Sequence, residues 1–102
     1  MAKYAFNNGL VEHTLTGAAD DISFGDMAIA QDIVIWMRNK AGTDTANPVT
    51  IIFYNDAAKA SIKSQFVLKA GELIQMTFQE VRAITANGTL GEKLQYELDG
   101  DA

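Results

Sequence analysis

Phe66-Val-Leu-Lys-Ala-Gly-Glu-Leu-Ile-Gln-Met-Thr-Phe78 is the stretch that decides the fold class. Two strand-like runs flank the turn Lys69-Ala70-Gly71-Glu72. Phe66 and Leu68 share one face of the first run, and Ile74, Met76 and Phe78 share one face of the second. This is the period-2 pattern of strands with one face buried. Gly71 supplies the positive φ that a tight turn often requires. The stretch reads as a hairpin of an antiparallel β domain.

Further strand candidates recur on both sides, with turn signals between them. Tyr4 to Phe6 is a short strand or an arm, ended by Asn7-Asn8-Gly9. In Leu10 to Thr16, Val11, His13 and Leu15 fall on one face. Gly17 to Asp26 is loop-like, with Ile22 and Phe24 expected to anchor it, and Met27 to Ala30 allows a brief strand. Ile33-Val-Ile-Trp-Met37 is apolar on both faces, as expected of a central strand covered on both sides. A polar connection, Asn39 to Asn47, leads through Pro48 to a second such run, Val49 to Tyr54. Asn55-Asp56 can cap one helical turn through Ala60. Val81 to Ala86 and Leu94 to Leu98 complete the set, with Asn87-Gly88 as a turn between them. No internal repeat at a fixed period is evident. The expected fold is all-β: an antiparallel β-sandwich, jelly-roll-like, with at most one short helical turn. It forms one domain over residues 1–102, with 1–9 as a candidate N-terminal arm.

Composition narrows the function more by exclusion than by assignment. A chain of 102 residues with 48% hydrophobic content suits one globular domain and buries roughly 65% of its unfolded surface. No apolar run approaches the roughly 18 residues of a membrane helix, and no apolar leader segment is visible near Met1. The formal net charge is −5, with only eight Lys and Arg scattered singly; phosphate binding requires them clustered. Neither nucleic acid nor membrane is expected as a partner. Glu97, Asp99 and Asp101 read as a solvated tail. With no cysteine and one histidine, disulfides, cysteine zinc sites and histidine pairs are ruled out. No catalytic, cofactor-binding or metal-binding residues are expected, and an enzyme is not.

Individual candidates have bland readings. His13, between Val11 and Leu15, reads as packed and hydrogen-bonded. Asp20-Asp21 and Asp26 lack the spacing of an EF-hand loop. Trp36 reads as a buried strand anchor. Tyr4 and Phe6 either close one end of the core or reach into a neighbour. Phe24, in the 17–26 loop, and Asp44, in the 39–47 loop, join them as candidate partner contacts.

From about Ile33 to Leu98 the chain resembles the small β-sandwich virion proteins of tailed bacteriophages. The likeness lies in Val34-Ile-Trp-Met-Arg-Asn39, Asn47-Pro-Val-Thr-Ile51, Phe66-Val-Leu-Lys-Ala-Gly-Glu72 and the strand Leu94 to Leu98. The resemblance implies a head decoration or cementing protein that occupies the major capsid protein lattice in many copies. It also implies a homo-oligomer, a trimer being one option, located on the virion surface after synthesis in the host cytoplasm. An arm at Tyr4–Phe6 would then act by strand addition to a neighbour. The alternative is a small carbohydrate- or cell-surface-binding module, expected to expose aromatic platforms drawn from Trp36, Tyr54 and Tyr96.

Overall fold

A computed structural model of the chain describes residues 6–7, 10–23, 32–40 and 48–101. The strands in chain order are β1 (Phe6–Asn7), β2 (Val11–Thr14), β3 (Asp20–Asp21), β4 (Asp32–Lys40) and β5 (Val49–Tyr54), then β6 (Ile62–Leu68), β7 (Leu73–Gln79), β8 (Ala83–Asn87) and β9 (Lys93–Asp101). All pairings are antiparallel. One sheet runs β1-β9-β4-β7, with β2 also on β9; the other runs β3-β8-β5-β6. Apart from the β5–β6 hairpin, each connection from β2 onward crosses between the sheets, the connectivity of a jelly roll. The all-β sandwich expected from the sequence is the fold observed.

The inner faces follow from alternation. Ile35 and Met37 of β4, Val49, Ile51 and Phe53 of β5, and Leu94, Tyr96 and Leu98 of β9 are buried in one core. Phe53 sits between Phe78 and Phe66, with ring centroids 4.6 and 5.9 Å away. Phe66 and Phe78 therefore face each other across the sandwich.

That geometry corrects the expected hairpin. β6 and β7 lie in different sheets, and Lys69–Glu72 turns the corner between them. Period 2 is the same whether two strands pair side by side or face one another, so alternation could not separate the cases. The turn itself is as expected: Glu72 N–H donates to Lys69 O at 2.9 Å, and Gly71 has φ 81°, the form of a type II turn. Its neighbour is Asn39, whose carbonyl accepts from Gly71 N–H at 2.7 Å. Thr89-Leu90-Gly91-Glu92 repeats this arrangement around Leu15: Gly91 N–H donates to Leu15 O at 2.9 Å and Glu92 N–H to Thr89 O at 3.1 Å. Gly71-Glu-Leu-Ile-Gln75 and Gly91-Glu-Lys-Leu-Gln95 thus form a local duplication, leading into the two strands that flank β4.

Two other expectations change, and the limit of at most one helical turn is met. No helix occurs among the described residues. At Asn55–Ala60 the Asp56 carboxylate takes the Ala60 and Ser61 amides, each at 3.0 Å, and Lys59 turns left-handed with φ 60°, which stops any helix. The acidic tail is not a solvated terminus, because Glu97, Asp99 and Asp101 belong to β9, paired with β4 along its length. β4 is not covered on both faces by the described residues: Val34 and Trp36 remain half-buried.

Candidate functional site

Three features stand out from an otherwise closed sandwich. The first is the flank where β6 and β7 are the outer strands of their sheets. Outer strands invite pairing with other chains, and monomeric proteins blunt them with charge, proline or bulges. β6 is blunted: it carries Lys63 at a register shift opposite Phe53 and Tyr54. β7 is not. Leu73-Ile-Gln-Met-Thr-Phe-Gln79 holds no charge, glycine or proline and pairs with β4 without a break. Among the described residues nothing pairs with its other edge. Ile62, Val67 and Leu73, each more than half exposed, add apolar surface to the two strands.

The second feature is the outer face of the β1-β9-β4-β7 sheet. Trp36 sits opposite Glu97 of β9 and Gln75 of β7. With Leu10 and Val34 these residues line a shallow concavity of about 380 Å³. Trp36 was expected in the core. Its even-numbered position puts it on the face opposite Ile35 and Met37, and strand alternation outranks the usual burial of tryptophan.

The third is a seam between β2 and β3. His13 Nε2 lies 2.8 Å from Asp20 Oδ2, which also accepts the Thr16 amide at 3.0 Å, while the Thr16 hydroxyl donates to Asp20 Oδ1. These bonds, Thr16's hydroxyl foremost and His13 next, hold the Asp20 carboxyl below the usual carboxylate range. Burial raises the neighbouring Asp21 carboxyl. Hydrogen bonds from Ser23 and the Lys59 ammonium, 3.2 Å away, outweigh it and leave a net lowering. Burial, then the Asp21 charge, raises the Tyr96 hydroxyl. His13 is hydrogen-bonded, as expected, and the group ties two sheets together. No cluster of three metal-ligating side chains occurs among the described residues.

Of the candidate contacts, Phe6 pairs through its backbone with Gly100 of its own chain. Tyr4, Phe24 and Asp44 lie outside the described residues, as does the brief strand at 27–30. Trp36, Tyr54 and Tyr96 do not form one platform: Trp36 is on the outer face, Tyr54 ends β5 in the other sheet, and Tyr96 is in the core. Sequence reasoning missed the β7 edge, although its uncharged seven-residue run was a visible signal.

The fold and these surfaces define a jelly-roll sandwich in which the outer edge of β7 has no partner strand among the described residues. No protein-family model matches the chain, and no curated protein does. Among solved structures it is similar to one described as "Bacillus endospore appendages form a novel family of disulfide-linked pili". The TM-score is 0.72 at 17% identity, over 94% of this chain and 87% of that one. This likeness is one of fold.

Proposed function

We propose that this chain is a structural subunit that works in many copies, joined to its neighbours at the unprotected edge of β7. That edge is the observation that carries the reading: seven uncharged residues with no partner strand among the described residues are costly to leave open in a crowded solution and useful in an assembly. Within this class, the sequence resemblance supports a cementing protein on the major capsid protein lattice of a phage head. The chain then resides on the virion surface, and the reading assigns it no reaction.

The structural neighbour favours a second reading, a subunit of a surface appendage. This sequence has no cysteine, so a fibre built from it is not joined by disulfides of this domain. The carbohydrate-module alternative gains nothing from the structure, because its three aromatic residues are dispersed.

The test is electron microscopy and mass measurement of the purified chain, with and without expanded phage heads. Coating of heads at a copy number comparable to the shell protein supports decoration; fibres from the chain alone support the appendage. Absence of any species larger than two copies, with no binding to heads, overturns both. Met76→Lys places an inward-pointing charge on β7, a device natural edges use. It is expected to abolish the larger assemblies, whereas Met76→Leu preserves them.

A further inference from the structure

The concavity on the outer face of the β1-β9-β4-β7 sheet joins two chemistries in one row of side chains. Its floor is apolar: Trp36 and Val34, both half-buried and on the same face of β4, together with the largely exposed Leu10. Its two sides are polar. Gln75 on β7 and Glu97 on β9 stand opposite Trp36 from the strands to either side of it, two strand spacings or roughly 10 Å apart. The Gln75 amide both donates and accepts hydrogen bonds, and the Glu97 carboxylate accepts several at once. Arg38, exposed at the next position of this face along β4, sets a cation beside that anion.

We propose that this concavity binds a neutral saccharide, one pyranose ring lying against the Trp36 indole with its hydroxyls hydrogen-bonded to Gln75 and Glu97. A pyranose is amphipathic in the same sense as the site. C–H groups cover a face of the ring and hydroxyls surround its rim, so the indole meets the first while the amide and carboxylate meet the second. Charge narrows the class further. With Glu97 and Arg38 both at hand, an anion and a cation each meet one group of their own sign, and a neutral polar ligand meets no such conflict. The volume of about 380 Å³ is near the lower end for small-molecule sites, and the shallow form suits a ring laid flat better than a lipid chain. One aromatic ring is enough for this site. It therefore differs from a module that stacks sugars on Trp36, Tyr54 and Tyr96 together, residues that the fold separates. The site does not depend on the β7 edge, since a solitary chain and a many-copy subunit carry it equally. In an assembly, weak single sites add up through multivalency.

The experiment titrates the purified chain with short neutral oligosaccharides of glucose, galactose, mannose and N-acetylglucosamine. Fluorescence of Trp36, the only tryptophan, is read with and without acrylamide. At least one of these sugars is expected to give a saturable shift to shorter wavelength and a loss of quenching, half-complete at a concentration on the order of 1 mM. Sorbitol, which has the hydroxyls without the ring, is expected to give neither. Gln75→Ala is expected to weaken binding roughly tenfold, the scale of a lost hydrogen bond. Calorimetry on Trp36→Ser, which needs no fluorophore, is expected to show no binding. No saturable response to any of the four sugars overturns the proposal, as does an equal response to sorbitol. So does binding that survives Trp36→Ser. Should that variant lose its β-sheet circular dichroism, Gln75→Ala decides, and unchanged affinity there overturns the proposal. Met76→Lys, designed to abolish edge assembly, is expected to bind the sugar as the unaltered chain does, so the two readings fail separately.

Discussion

The Asn39 side-chain amide donates to the carbonyl of Leu68 at 2.8 Å, a buried bond that joins the end of β4 to the end of β6 in the opposite sheet. Asn39 is fully buried, and its backbone N–H also donates to Glu72 O at 3.0 Å. One residue therefore holds both sides of the corner at Lys69–Glu72. Replacing it with an apolar residue leaves the Leu68 carbonyl buried without that donor. Asn39→Leu is expected to cost about 2 kcal/mol, read as a lowered urea midpoint at unchanged slope. An unchanged midpoint would mean that backbone bonds alone hold the corner.

Two glycines should fail for different reasons. A Cβ at Gly88 would lie 2.8 Å from Leu15 Cδ1 and 3.1 Å from Val49 Cγ2, and both side chains are core. Gly88→Ala thus overpacks the interior, at a cost of about 1–3 kcal/mol. A Cβ at Gly71 meets nothing within 4 Å, but φ is +81°. Gly71→Ala is expected to cost about 1–2 kcal/mol through backbone strain, and Gly71→Asn less. Equal losses for Gly71→Ala and Gly71→Asn in thermal melts would count against strain as the cause.

The strands were legible because alternation is local: the buried residues of β9 can be read directly from Leu94, Tyr96 and Leu98 between Lys93, Gln95 and Glu97, whereas the two-sided apolar run Val49–Tyr54 shows a strand without showing its inner face. Sheet membership was not. Phe66–Leu68 and Ile74–Phe78 have the same pattern whether they pair or face each other, and the turn Lys69–Glu72 serves either. Trp36 was misplaced because an all-apolar run conceals which parity faces inward; only its pairing with Glu97 and Gln75 reveals it.

Acid should weaken the β2–β3 seam in a defined direction. The Asp20 carboxyl is held below its ordinary value of 3.8. As pH falls below 3.8, the unfolded chain takes up this proton before the folded one does, so the stabilisation is present above that value and lost as pH falls through the folded pKa. Asp20→Asn is expected to cost about 1 kcal/mol near neutrality, the scale of a lost hydrogen bond. The difference from the unaltered chain should close in strong acid. A gap that persists undiminished at pH 2, measured by urea titration, would place the effect in packing instead of charge.

Trp36 is the only tryptophan, and its fluorescence reports the outer face without further labelling. Half-buried beside Glu97 and Gln75, it is expected in dilute, high-salt solution to be quenched readily by acrylamide. Trp36→Ser removes little buried core, so it should lower stability by no more than about 1 kcal/mol. Strong protection from quencher in dilute solution would instead place the indole under cover within a single chain.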